Sequence, residues 1–415
     1  MSAAKPFSIS KALIWEAWQR VKANKGAAGI DDQSIEMFEA DKSKQLYRIW
    51  NRMSSGSYFP PAVKAVSIPK KSGGVRVLGV PTVADRVAQT AVTLVLEPIL
   101  EPVFHEDSYG YRPGKSAHDA IAITRERCWK YDWVLEYDIR GLFDHINHEK
   151  LLKALRYHCN ERWVLLLVER WLRAPMQNKD GNQQSRMVGT PQGGPLSPVL
   201  ANLFLHYALD NWLSSNHPSI PFCRYADDGI LHCRTEAEAK QMLSHLQARL
   251  KECGLEIHPD KTRIVYCKDV DRTGDSEHIQ FDFLGYTFRP RSCRTRGGRL
   301  FVGFNPAISR ASSKAVRQKI RGWRLHRKSY ASLEDLASFY GAVVRGWINY
   351  YCRFYRSAFQ KLACYLDDVL MRWAMRKYKR LKDHPKRARE WLAAKRRAKP
   401  SLFPHWCFIY RERLV

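Results

Sequence analysis

The chain is short of acid. Its 415 residues carry 41 Asp and Glu against 69 Lys and Arg, a formal net charge of +28. Self-repulsion of that size opposes compaction, so it points to a polyanionic partner, with nucleic acid first. Long apolar runs are also missing. No stretch of eighteen uninterrupted apolar residues occurs, and Met1-Ser2-Ala3-Ala4-Lys5-Pro6-Phe7 holds no apolar signal core. Neither a membrane span nor a secretory leader is expected, and the expectation is a cytoplasmic protein that joins the nucleoid when bound to DNA and has no membrane partner. Ten cysteines are present, but without a Cys-x-x-Cys pair or a recurring spacing. That argues against a zinc ribbon and a disulfide framework, and leaves reduced, buried thiols as the expectation. The remaining composition, 45% hydrophobic, suits a folded chain long enough for two or three domains. The basic excess is uneven: from Pro306 to Val415 there are 27 Lys and Arg against 7 Asp and Glu.

The chemistry concentrates in Cys223-Arg224-Tyr225-Ala226-Asp227-Asp228-Gly229-Ile230-Leu231. Apolar residues on either side of an Asp-Asp-Gly turn signal predict a tight hairpin with both carboxylates at its tip. Adjacent like charges are costly when partly buried unless a cation lies between them. A solvated turn remains open on these residues alone. Trp133–Ile139 reads as a strand that ends in Asp138 beside a glycine turn, a rigid mount for a ligand. Asp144 could instead cap a helix beginning near His148. His145 and His148 lack further ligands for a zinc site.

Several other stretches have polar groups placed for phosphate or nucleic acid. Val63–Val80 predicts a hairpin with a basic tip at Lys70-Lys71-Ser72-Gly73-Gly74 and Arg76 on the returning strand, suited to phosphate or to a solvated edge. Gly189–Pro198 is a loop entering a helix. Lys25–Asp31 is a loop of small residues between helices. Ser10–Val21 and Pro81–Pro102 read as helices, the second stopping near Glu97-Pro98. Gly254–Thr262 reads as strand and turn, and Phe281–Phe288 as one strand with Gly285 leaving room for close backbone approach. Beyond Pro306 the pattern is helical, with apolar stripes expected in the core at Leu336, Phe339, Tyr340, Val343, Val344 and Trp347, and at Leu362, Leu366, Val369, Leu370 and Trp373.

Taken in order, the Lys70 hairpin, the Asp138 strand end, Thr190-Pro-Gln-Gly-Gly-Pro-Leu-Ser197, Tyr225-Ala-Asp-Asp228, Pro259-Asp-Lys-Thr262 and Phe281-Asp-Phe-Leu-Gly285 resemble the successive motifs of a reverse transcriptase. With Ser108-Tyr-Gly-Tyr-Arg-Pro-Gly114 added, the spellings are similar to those of bacterial group II intron-encoded reverse transcriptase/maturases. No Cys pairs with His follow Lys399–Trp406, so the branch lacking a C-terminal endonuclease is the expected match. The resemblance implies an α+β right-hand polymerase with fingers, a palm built on antiparallel sheet and a helical thumb. The expected divisions are 1–115 for N-terminal extension and fingers, 116–305 for palm with the remaining fingers elements, 306–385 for thumb or maturase domain, and 386–415 for a short basic segment, with a DNA-binding remnant left open.

It implies an RNA-directed DNA polymerase that binds intron RNA to assist splicing and copies it into DNA during retrohoming. Asp138, Asp227 and Asp228, with the Ile139 backbone, would hold two Mg²⁺ ions, or Mn²⁺ in their place. Lys261 would serve as general acid toward pyrophosphate. Lys70, Arg76, Ile139, Phe143 and Gln192 would contact the dNTP, Phe143 excluding a 2′-hydroxyl. Lys25, Gly26, Gly193, Tyr225, Leu284, Gly285 and Tyr286 would contact primer or template. The partners implied are an RNA template, intron RNA or another, a DNA primer or target, and dNTPs. Two other readings stay open: a domesticated relative in phage defence or DNA repair, and an RNA-binding splicing factor with vestigial chemistry.

Overall fold

The structure, a computed structural model, describes residues 5–69, 74–295 and 297–410. It divides into two compact units, one of Met1–Ala120 with Leu135–Thr262 and one of Ile121–Val134 with Arg263–Val415. The strands of the first are β1 (Val63–Pro69), β2 (Val75–Val80), β3 (Trp133–Asp138, whose first two residues belong to the second unit), β4 (Met176–Gln177), β5 (Gln183–Gln184), β6 (Phe222–Tyr225) and β7 (Asp228–Cys233). The second unit holds β8 (Arg263–Tyr266), β9 (Phe281–Phe283), β10 (Tyr286–Arg294) and β11 (Leu300–Ile308).

In the first unit, Ser10 Oγ accepts the Leu13 N–H at 3.1 Å and starts the helix Lys11–Asn24, which buries Ile14, Ala17, Trp18 and Val21. That helix packs on Val83–Leu100, whose buried residues include Val87, Ala88, Ala91, Val92 and Leu96. The second helix does not stop at Glu97-Pro98 as its sequence suggests. It continues through Pro98 to Leu100, with the proline in the final turn, where a single lost N–H bond interrupts little that follows. β1 and β2 pair antiparallel from Lys64↔Val80 to Pro69↔Val75, and β4 joins β1 in parallel. Lys70, at the tip between β1 and β2, lies outside the described residues.

Asp85 is buried in this helical layer. Its carboxylate accepts from Tyr58 OH at 2.9 Å, Trp171 Nε1 at 2.7 Å and Gln89 Nε2 at 2.9 Å. Burial nevertheless outweighs these donors and pushes its pKa up to about 6. An acid raised in the folded state contributes stability at low pH that fades as pH rises from the ordinary carboxylate range through 6. Asp85→Asn, with the Gln89 amide flipped, keeps the hydrogen bonds without the charge. We expect it to be more stable than the parent at pH 7 by about 2 kcal/mol, and the gap to close toward pH 4, in urea titrations at each pH.

In the second unit β9, β10 and β11 form an antiparallel sheet, with Tyr286↔Phe283 and Tyr286↔Ile308 in register. The single strand expected over Phe281–Phe288 is therefore broken. Leu284 (φ 50°) and Gly285 (φ 80°) make a two-residue turn, and alternation alone cannot register a leucine in the left-handed region. Among the described residues five α-helices follow: Arg310–Gly322, Leu333–Tyr351, Gln360–Lys377, Pro385–Ala398 and Pro404–Tyr410. Their core includes Ile320, Leu336, Val344, Ile348, Leu366, Leu370, Trp373 and Trp406. Of the first expected stripe, Phe339 (55% exposed) and Val343 (38%) face outward instead, because six apolar positions across twelve residues span more than the buried face. Among the described residues no disulfide forms, and seven of the ten cysteines are buried while Cys364 is exposed. Among the described residues no helix is long and apolar enough to cross a membrane.

Candidate active site

β6 and β7 form the tight hairpin anticipated for the paired aspartates, shifted by one residue. Tyr225 pairs with Asp228, so Ala226 and Asp227 are the turn and Asp228 opens β7. Ala226 sits at φ 57°, a left-handed conformation that an L-residue adopts at a cost of order 1 kcal/mol. β7 lies between β6 and β3. The junction at the end of β3 is close: the Ile139 N–H donates to the Asp227 carbonyl at 3.1 Å, and the His258 N–H donates to the Asp138 carbonyl at 2.8 Å. Asp138 thus meets the aspartate hairpin from one side and the 3₁₀ turn Pro259–Lys261 from the other. Gly254–Thr262 contributes only a single bridge, Ile139↔Ile257, before that turn, where a strand was expected.

Among the described residues three carboxylates and one ammonium converge there. Lys261 Nζ lies 2.8 Å from Asp138 Oδ2. Burial raises the Asp227 carboxyl and the Asp138 charge adds to it, while Arg76 and Lys261 pull it back. Burial, the charges of Asp227 and Asp138, and a hydrogen bond to Asp138 push the Asp228 carboxyl up to about 7. Like charges this close cannot all ionise without a cation. Among the described residues no three Asp, Glu, His or Cys side chains stand ready-made as a metal cage. Lys261 already bonds Asp138, and the donors gathered here are oxygen-only, crowded and acidic, a chemistry that suits a hard divalent ion. The Ile139 side chain is buried, which leaves its backbone as the group it could offer.

The remaining expected residues fall in several places. Phe143 is half-buried in the short helix Leu142–His145, and its carbonyl accepts the Thr190 N–H at 2.7 Å. Gln192 follows, its Nε2 3.3 Å from Asp144 Oδ2 and its carbonyl accepting the Gly79 N–H at 2.8 Å. Gly193, next along, packs on the Gly79 carbonyl. The Gly189–Pro198 loop therefore joins the exit of β3 to β2, the strand that carries Arg76. Asp144 does not cap the helix His148–His158, because Asn147 Oδ1 takes the Lys150 N–H at 2.9 Å. Lys25 and Gly26 belong to a loop pinned by Arg86, whose NH2 donates to the Ala27 carbonyl at 2.7 Å. Leu284, Gly285 and Tyr286 lie in the second unit. There the Tyr286 ring is fully buried beside Tyr350, Tyr351 and Phe354, Tyr286 OH donates to the Tyr350 carbonyl, and Tyr350 OH donates to the Leu284 carbonyl at 2.8 Å. Tyr286 braces the turn from inside.

Sequence reasoning missed what holds the aspartate hairpin. Arg224, wholly buried, donates to both oxygens of the equally buried Asp210 at 2.7 and 2.6 Å, to Asn202 Oδ1 and the Ala226 carbonyl at 3.1 Å each, and to Ser108 Oγ at 2.7 Å. Ser108 and Tyr109 run alongside β6, and a Cβ on Gly110 would meet the Ala226 nitrogen at 2.5 Å. A Cβ on Gly229 would lie 2.1 Å from Cζ of Tyr137. Asp210 ends the π-helical segment His206–Asp210. Tyr111, at φ 57°, has its phenol raised by burial and then by Asp227. The available signal was Ser108–Gly114, which motif order picked out without assigning it a task.

Residues 68–288 match the reverse transcriptase (RNA-dependent DNA polymerase) family, and 313–391 match the group II intron maturase-specific domain. Protein YkfC of Escherichia coli K12 is 30% identical over 296 residues, 61% of this chain and 77% of that protein. The group II intron-encoded protein LtrA of Lactococcus lactis is 36% identical over 197 residues, 47% of this chain and 32% of LtrA. Among solved structures, telomerase from Candida albicans in complex with a fragment of telomeric RNA aligns with a TM-score of 0.46 and 15% identity, covering 89% of this chain and 66% of that one. The maturase-specific match favours the intron-encoded reading over a domesticated or vestigial relative. Reverse transcriptases use divalent metal ions and bind RNA and DNA. With a polymerase match over more than half its length and the maturase match following it, this chain belongs to the reverse transcriptases, in the group II intron-encoded reverse transcriptase/maturase branch.

Proposed function

We propose that the carboxylate cluster is the nucleotidyl-transfer site of an RNA-directed DNA polymerase that copies intron RNA into DNA during retrohoming and assists its splicing. The observation that carries this is the meeting of Asp138, Asp227 and Asp228 at one sheet end with the Lys261 ammonium against Asp138. Two Mg²⁺ ions, or Mn²⁺ in their place, held by the three carboxylates and the Ile139 carbonyl, would activate the primer 3′-hydroxyl and neutralise the triphosphate. The chain's own groups then take separate tasks. Lys261, whose Nζ lies 2.8 Å from Asp138, would donate a proton to the departing pyrophosphate. Arg76 attracts the triphosphate. Gln192, tied through its backbone to β2, contacts the nucleotide. Phe143 bars a 2′-hydroxyl by bulk. Lys25, Gly26, Gly193, Tyr225 and the Leu284-Gly285 turn touch primer or template, and Tyr286 supports that turn.

In this reading 1–115 supply the N-terminal extension and fingers, 116–305 the palm with the remaining fingers elements, 306–385 the thumb and 386–415 a short basic C-terminal segment. A cytoplasmic location, at the nucleoid when DNA is bound, goes with these partners. The test is nucleotide choice on a primed RNA template. Phe143→Ala should raise ribonucleotide use relative to deoxynucleotide use by roughly 10-fold or more, measured as the ratio of kcat/KM values. Unchanged discrimination would remove Phe143 from the sugar. Loss of intron splicing in the unmodified protein would remove the maturase half of the proposal.

A further inference from the structure

The helices of the second unit carry a concave surface lined by none of the residues assigned to nucleotidyl transfer. Arg310–Gly322 ends at Trp323, and Arg324 then turns left-handed, at φ 48°. Around this turn lies a cavity of about 430 Å³ lined by Gly322, Trp323, Arg324, Arg327, Lys328, Tyr330 and Tyr340. Trp323 stacks on Tyr340 with centroids 4.2 Å apart and planes at 19°, and Trp347 continues the stack at 5.6 Å. Tyr330 stands 74% exposed at the rim, its hydroxyl accepting from Lys328 Nζ at 3.2 Å. Among the described residues no carboxylate lines the cavity. Arg324 also lines the neighbouring, larger cavity of about 1190 Å³, with Arg321, Arg372, Arg376 and Lys382 and one acid, Asp383.

Trp323 is part of the core and packs against Tyr340 and Trp347, so the lining rings left for a ligand are exposed Tyr330 and partly exposed Tyr340. Phosphate alone would account for the cations but not for these rings. Aromatic faces among cations are what unpaired bases stack upon, and the volume admits one nucleotide but no duplex. Arg324, held in a conformation that costs an arginine of order 1 kcal/mol, is the residue both cavities share. We propose that this cavity seats the base of one unpaired nucleotide, stacked on Tyr330 and Tyr340, while the flanking phosphates lie on Arg324, Arg327 and Lys328 and run on toward the larger basic cavity. The proposal rests on the reading that the chain binds nucleic acid. The ligand chemistry, a purine or pyrimidine face with a phosphate on either side, is common to RNA and DNA strands.

The test uses the full chain and fluorescence anisotropy with unstructured oligonucleotides of about twelve nucleotides, as RNA and as DNA, each beside an abasic strand with the same number of phosphates. Tyr330→Ala should weaken the base-bearing strands by roughly 5-fold or more and leave the abasic strands unchanged. A loss confined to RNA makes this an RNA site; a loss on both makes it a general single-strand site. Arg324→Gly should weaken both kinds of strand and lower the salt slope by about one, while the unfolding midpoint holds or rises because glycine accepts the left-handed turn. Equal effects of Tyr330→Ala on base-bearing and abasic strands, or none on either, would overturn the proposal. Primer extension on a pre-annealed template should survive Tyr330→Ala. Absent extension in the unmodified protein would count against the polymerase reading and leave the anisotropy result standing.

Discussion

Asp227→Asn should abolish primer extension, by roughly 10³-fold or more in kcat, while affinity for RNA stays where it was. An amide keeps the shape of the turn and the Ile139 N–H bond to the residue 227 carbonyl, because that bond is made by backbone. What it loses is one of the negative charges that would hold a cation. The same change should stabilise the fold. Burial and the Asp138 charge both disfavour the ionised Asp227, so removing that ionisation relieves repulsion, and the urea midpoint should rise above that of the parent. An inactive variant that is also more stable separates a catalytic carboxylate from a structural one. An Asp227→Asn protein that extends primers at the parent's rate would show that the carboxylate is not needed for transfer.

Arg224→Met should cost about 3–5 kcal/mol, because it strands the Asp210 carboxylate inside the protein with its counter-charge gone. The double variant Arg224→Met with Asp210→Leu should recover a large part of that loss, since both charges leave together and apolar volume fills the space. The recovery in stability should not restore extension. Arg224 also holds the Ala226 carbonyl and Ser108 Oγ, and these contacts fix the strained turn that presents Asp227. Urea unfolding of the four proteins in the cycle, with extension measured alongside, checks both halves. Additive stability losses would show that Asp210 and Arg224 do not act as a pair.

The aspartate hairpin and the strand ending at Asp138 were legible because each is a local pattern: a short apolar run, a turn residue and an acid at the end. Their meeting was legible only through the order of motifs, since nothing within β3 or the hairpin states that Ile139 donates to Asp227. The network around Arg224 was not legible. Its partners Asp210, Asn202 and Ser108 are 14, 22 and 116 residues away, and an arginine before a turn reads as surface charge until the fold buries it. Periodicity misled in two places for related reasons. It shows which residues share a face but not whether that face is covered, so Phe339 and Val343 were expected inside. It also carries no signal for a two-residue turn built on a leucine, so Leu284-Gly285 was read as strand. Tyr286, expected against the primer, is buried beneath that turn.

The most direct measurement is extension of a DNA primer annealed to an RNA template by the purified chain, with dNTPs and Mg²⁺. DNA complementary to the template should form, its production should stop when the metal is chelated, and Asp138→Asn should be as inactive as Asp227→Asn. A folded protein that binds the primed template and adds no nucleotide, or one whose activity survives Asp138→Asn, would contradict the assignment of these carboxylates to nucleotidyl transfer.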